Sequence, residues 1–239
     1  MKRPFQLNTH ISAKYNQELE ALKHSVLTMG GLLEQQMVNT LIAIEEKIPN
    51  LAERVSLNDA KIDAMEHQVE QECMRIIATR NPAASDLRLV MTVVKVATDL
   101  ERIGDEIVRI NRLIQSNGMP NSEFLLAGLL DIGNRIVNLM RGTLDAFARQ
   151  DEKAAVIAHK QDADIDRVYK KLLEQTAEEI KSHPEDIYMW MDVLWSVRSF
   201  ERIGDRCKSI CEYVFFLNSG KNRKKISTKK NLKRLLKNG

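Results

Sequence analysis

Eight acidic residues stand out by their spacing. Asp59 and Asp63, Glu101 and Asp105, Asp162 and Asp166, and Glu201 and Asp205 form four pairs, each separated by four positions. On a helix that interval is close to one turn, so both carboxylates of a pair leave one face about 6 Å apart. Like charges there repel, and two pairs converging from neighbouring helices would make a site of four carboxylates in need of positive charge. An oxygen-only donor set suits hard or borderline cations such as Mg²⁺, Mn²⁺, Ca²⁺ or iron. Cysteine and histidine are missing from these positions, which argues against structural zinc, and so is the Glu-x-x-His of ferritin-like di-iron bundles. His159, three residues before Asp162, is a candidate extra donor, with a partly solvated helix histidine as the simpler reading.

The plain alternative is that these acids pair with Arg102, Arg109, Lys61, Arg202 or Lys208 along solvated helix faces, at little gain in stability. Their arrangement on two helices, repeated twice, favours a site. The sequence contains no G-x-x-x-x-G-K-[ST] phosphate loop, nucleophile elbow or H-E-x-x-H. A non-enzymatic role is therefore expected. A metal-dependent enzyme acting on phosphate compounds is the alternative, because clustered carboxylates also build two-metal hydrolytic sites.

The elements that carry the acids are long helices. Punctuation falls at Pro49-Asn50, Asn81-Pro82 with Ser85, Asn117-Gly118 with Pro120, Gln150-Asp151 and Ser182-His183-Pro184, dividing the chain into six segments. Each is about 30 residues, or roughly 45 Å of helix. Asn50 and Glu53 read as an N-terminal capping pair, and Asp86 suits the positive end of a helix. The segment from Gly30 matches that from Gly133 at a constant offset: Met37/Met140, Thr40/Thr143, Leu41/Leu144, Asp59/Asp162, Ile62/Ile165 and Asp63/Asp166 all agree. After a slightly shorter connection, Glu101-Arg102-Ile103-Gly104-Asp105 recurs as Glu201-Arg202-Ile203-Gly204-Asp205. The chain is a tandem duplication of a three-helix unit.

Three long helices with short connections predict an all-α fold of two up-down-up antiparallel bundles, residues 1–117 and 118–220. Apolar stripes support this: Val90, Val93, Ala97, Leu100, Gly104 and Ile107 in the third helix, Val193, Val197, Phe200, Gly204, Cys207 and Cys211 in the sixth. A helical glycine costs about 1 kcal/mol against alanine, so Gly104 and Gly204 on the seams predict close approach of a neighbouring helix. Trp190 and Trp195 are read as core residues, with a contact face as the alternative.

Composition agrees. The 239 residues are 44% hydrophobic and hold only 10 glycines and 5 prolines, which favours packed helices over disorder. The longest apolar run, Phe124 to Leu130, is far too short to span a bilayer, and the N-terminus has no signal-peptide core, so a cytoplasmic protein is expected. Three cysteines without C-x-x-C spacing, Cys73, Cys207 and Cys211, read as small buried hydrophobes in a reducing compartment. The net charge of +3 conceals an acidic body and a tail, residues 221–239, with nine Lys/Arg and no acid. That tail has no aromatic residue for base stacking, so nucleic acid is not the expected partner. A frayed terminus is the plain reading, with docking on an anionic inner-membrane surface as the alternative.

The repeated acidic motif, with Thr28-Met29-Gly30-Gly31, Asp86-Leu87-Arg88-Leu89-Val90 and Asp99 through Asp105, resembles the PhoU family over residues 8–218. The resemblance implies two three-helix bundles in pseudo-twofold arrangement, with metal bound by the paired acidic motifs. It also implies a commonly dimeric cytoplasmic adaptor and negative regulator of the phosphate-starvation response, coupling the ATP-binding subunit of the phosphate ABC transporter to a sensor histidine kinase. The basic tail extends beyond what the resemblance covers.

Overall fold

A computed structural model of the chain describes residues 13–46, 49–116 and 122–220. Six helices run through them: α1 (Ala13–Glu46), α2 (Pro49–Arg80), α3 (Ala84–Ser116), α4 (Glu123–Arg149), α5 (Glu152–Ser182) and α6 (Ile187–Ser219), with a single 3₁₀ turn, Pro184–Asp186, before α6. No strand occurs among the described residues, and no helix there is long and apolar enough to cross a membrane. The fold is all-α, as expected. The expected junction at 117/118 and the basic tail 221–239 lie outside the described residues.

The breaks fall where the punctuation places them, each for a local reason. Gln150 closes α4 in the left-handed region at φ 54°, and Asp151 caps α5 by accepting from the backbone N–H groups of Lys153 and Ala154. Ser122 caps α4 through Leu125 N–H. One boundary differs from the sequence reading: α2 begins at Pro49, so Asn50 sits inside the first turn instead of capping it. Proline is suited to that first position because its φ is already helical and it lacks the N–H that would be left unbonded.

Side-chain pairings fix the topology. Tyr15 meets Asp86 and Thr40 meets Asn111, a constant separation that makes α1 and α3 parallel, whereas Cys73 reaches Val90 O with α2 running the other way. In the second unit, Thr143 with Cys211 and Gln150 with Asn218 make α4 and α6 parallel, and Tyr169 with Arg198 sets α5 against them. Thr40 and Thr143 are repeat equivalents, so even the buried polar contacts are duplicated.

The two units share one continuous apolar core. α1 packs on α4 and α3 on α6 across the duplication, while the main packing of α2 and α5 among the described residues is within their own units. A Cβ built on Gly30 would collide with the Leu144 side chain, and one on Gly133 with Leu41, its exact counterpart. The α1–α4 contact is thus a reciprocal knob-and-notch about a pseudo-twofold axis. The α3–α6 contact is antiparallel as well: Arg88 donates to Leu217 O, Arg206 to Asp99 and Ser199 to Glu106. Those pairs place the crossing at the repeated Glu-Arg-Ile-Gly-Asp segments. Cys73, Cys207 and Cys211 are free and buried, as expected, and burial raises all three thiol pKa values. Trp190 is core, whereas Trp195 is half exposed.

Candidate metal centre

The motif glycines position the acids. A Cβ on Gly104 would lie 3.3 Å from Leu33, 3.7 Å from Asp59 Oδ1 and 3.7 Å from Ile62. On Gly204 it would lie 3.4 Å from Asp162 Oδ1, 3.5 Å from Ile136 and 3.6 Å from Ile165. The three neighbours are repeat equivalents in each case. Glycine on the α3 and α6 seams therefore lets the first carboxylate of the α2 or α5 pair settle against the neighbouring helix, the close approach that the seam glycines predict.

The acids of each quartet lie near enough to act on one another's charge. In the first, Asp59 is half-buried and its pKa is raised by burial and by Asp63 and Asp105; Glu101 is raised by burial and by Asp105, with smaller contributions from Glu66 and Asp63. In the second, Glu201 is raised by burial, Asp205, Asp166 and Asp162, and Asp205 by burial and Asp162. Asp162 is buried, at 4% exposure. Asp59 and Glu101 are half-buried, as are Asp166 and Glu201, whereas Asp105 and Asp205 face water.

The quartets differ in their counter-charges. Lys208 Nζ lies 2.6 Å from Asp162 Oδ2. Its pKa is raised although burial alone would lower it, because the bond to Asp162 and the charges of Asp205 and Asp166 outweigh desolvation. Arg198 lies 3.0 Å from Glu201 Oε2. The equivalents of Lys208 and Arg198 in the first unit are Val108 and Thr98, which carry no charge. There Arg102, largely exposed, stands 3.5 Å from Glu101 and 3.9 Å from Asp105. His159 borders the second quartet: it is half-buried, its pKa is lowered by burial and by Lys208, and its Nε2 is 3.9 Å from Glu212.

Among the described residues no three acidic, histidine or cysteine side chains converge closely enough to hold one ion. The quartets concentrate charge without a closed coordination shell; closing one requires rotation of the exposed members, Asp63, Asp105 and Asp205. The chemistry of the donor set fits a hard cation, since it is carboxylate only, mutually repelling and open to water on one side. The first quartet fits better, having no lysine within it.

Sequence reasoning passed over a second polar cluster. Glu106, buried between the repeats, accepts from Ser199 Oγ at 2.6 Å and Arg202 at 3.0 Å, and buried Asp99 accepts from Arg206 at 3.1 Å. Matching the repeats conceals these residues because the equivalents, Asp99/Ser199 and Glu106/Arg206, are not identical. The usable signal is that antiparallel packing pairs those two positions with one another, so complementary types at both form contacts twice.

Comparison with known proteins agrees with this architecture. The PhoU domain family model matches twice, over residues 26–114 and 129–214. The phosphate-specific transport system accessory protein PhoU of Serratia marcescens is 39% identical, covering 90% of this chain and 89% of its own length. That of Escherichia coli strain K12 is 38% identical, covering 90% of each chain. The crystal structure of PhoU from Pseudomonas aeruginosa superposes with a TM-score of 0.82 at 36% identity, covering 87% of this chain and all of that one. The phosphate transport system regulatory protein PhoU from Streptococcus pneumoniae gives 0.79 at 26% identity, covering 87% of this chain and 98% of that one.

Proposed function

The chain belongs to the PhoU family, and from that premise we propose that it is the accessory regulator of a phosphate-specific transport system. It acts as a cytoplasmic, homodimeric, non-enzymatic adaptor and restrains phosphate uptake and the phosphate-starvation response when phosphate is plentiful. The observation that carries this reading is identity of 38–39% to phosphate transport accessory proteins across 90% of the chain, a span that includes both repeats. Its partners in the proposal are the ATP-binding subunit of the transporter and the sensor histidine kinase of the phosphate regulon, whose states it shifts by differential binding.

Divalent or trivalent cations (Mg, Mn, Fe or Ca) would be held by Asp59, Asp63, Glu101 and Asp105, and by Asp162, Asp166, Glu201 and Asp205. The cation supplies positive charge that lets adjacent carboxylates remain ionised on one face. The test is the affinity of the purified protein for the transporter's ATP-binding subunit and for the kinase's cytoplasmic sensor region, with and without chelator. Micromolar or tighter binding to either supports the adaptor, and its sensitivity to chelator reports whether the acidic sites serve that interface. Absence of binding under both conditions refutes it.

A further inference from the structure

Between α3 and α6, where the repeated segments cross, lies a cleft of about 660 Å³. Five cationic side chains line it: Arg102 and Arg109 from α3, and Arg202, Arg206 and Lys208 from α6. The rest of the lining is Ser209 and four carboxylates, Asp105, Glu106, Asp205 and Glu212. The volume is that of a small-molecule site, yet among the described residues no aromatic or aliphatic residue lines it. A ligand here must be held by charge and hydrogen bonds alone.

We propose that this cleft binds inorganic phosphate, as orthophosphate or a short condensed phosphate, in the fork of the Arg102 and Arg109 guanidinium groups. Guanidinium donors are planar forks that match phosphate oxygens in pairs. The three α6 cations are fixed by close partners: Arg202 at 3.0 Å from Glu106, Arg206 at 3.1 Å from Asp99, and Lys208 at 2.6 Å from Asp162. Their charge is balanced by those carboxylates, so the charge open to an anion is that of the α3 arginines. The two α3 arginines are held loosely, at 3.5 and 3.9 Å from Glu101 and Asp105 and at 3.8 Å from Glu106, and about half of each side chain is in water. They are free to turn toward an anion without uncovering a buried carboxylate.

Of the four carboxylates, Glu106 is satisfied by Ser199 and Arg202, whereas Asp205 is repelled by Asp162 and Asp166 and Asp105 stands 3.9 Å from Arg102. On the function proposed above, a cation taken up by the acidic quartets would offset the charge of Asp105 and Asp205 beside the anion. The lining residues offer a base no aromatic ring to stack on, so a nucleotide should gain little over the inorganic chain of equal charge.

The test is isothermal titration of the full-length protein with orthophosphate, pyrophosphate, tripolyphosphate and ATP, each in chelator and in Mg²⁺, for wild type, the Arg102→Gln/Arg109→Gln double variant and Arg135→Gln as a remote control. Losing two charge-assisted contacts should weaken binding at least about tenfold. The result expected is saturable 1:1 binding of an inorganic phosphate in at least one of the two conditions, weakened that much in the double variant and unchanged in Arg135→Gln, with unaltered circular dichroism. No saturable binding up to about 10 mM in either condition, equal affinity in the double variant, or ATP binding more than tenfold tighter than tripolyphosphate overturns the proposal.

Discussion

Replacing Lys208 by methionine removes the ammonium from the second quartet while keeping most of the side chain's apolar bulk. Asp162 would lose its partner at 2.6 Å and remain with 6% of its side chain exposed, facing Asp166 and Asp205. Breaking a fully buried ion pair costs about 3–5 kcal/mol. The ammonium side chain keeps 34% of its surface in water, so solvent screening reduces that to about 1.5–3 kcal/mol. For a chain of this size the midpoint of thermal unfolding should fall by roughly 3–12 °C in chelator. Millimolar Mg²⁺ or Mn²⁺ should then restore part of the loss in the variant and shift wild type less, because an added cation takes the place the ammonium vacated. Differential scanning calorimetry in both buffers reads the effect, and a cycle with Asp162→Asn isolates the pair, the double variant falling short of the sum of the two. A drop below about 1 °C in chelator, or equal metal response in variant and wild type, would refute the reasoning.

Gln150→Gly should stabilise the protein by about 1 kcal/mol, seen as a higher denaturation midpoint, since Gln150 holds φ 54° and its carbonyl bond to Asn218 is kept. Gly133→Ala should destabilise by about 1–2 kcal/mol, the crowding of Leu41 exceeding the gain in helix propensity. Combined with Leu41→Ala, the same change should cost less than the sum of the two, and strict additivity in urea denaturation would remove the knob-and-notch account. Burial and Asp86 push the Tyr15 hydroxyl up to about 12 from its ordinary 10. The folded state therefore keeps a proton that the unfolded chain gives up, and stability is lost as pH rises from 10 toward 12. Tyr15→Phe should make that alkaline loss shallower by about 1 kcal/mol in denaturant midpoints at pH 9 and 11.

The helices, their breaks and the duplication were legible in the sequence because each rests on local chemistry: Asn81-Pro82, Asp151 and Pro184 stop or start helices wherever they stand. The seam glycines were legible too, since Gly104 and Gly204 violate helix propensity at equivalent positions and only a close neighbour explains that. The capping role assigned to Asn50 failed because proline at the preceding position supplies its own helical φ, a stronger local constraint than a capping side chain. The Glu106 and Asp99 contacts were hidden because they join the two units. Periodicity reports which face of a helix is buried, but not which helix of the other repeat covers it.

Duplication sets equivalent backbones around the two quartets, but subsequent substitution has made their charge balance unequal. Lys208 and Arg198 answer Val108 and Thr98, so the second unit sets two cations at 2.6 and 3.0 Å from its acids, where the first relies on the largely exposed Arg102, at 3.5 and 3.9 Å, and on the charge of Arg112. A carboxylate cluster with an ammonium bonded to its deepest member has less to gain from an external cation than one without. The first quartet, Asp59, Asp63, Glu101 and Asp105, should therefore be the one whose occupancy follows cation concentration. Both quartets border the cleft between α3 and α6, the first through Asp105 and the second through Asp205 and its partner Lys208. Cation and anion would then act on neighbouring turns of the same two helices, and the Glu106 and Asp99 bridges that join those helices stand within reach of both.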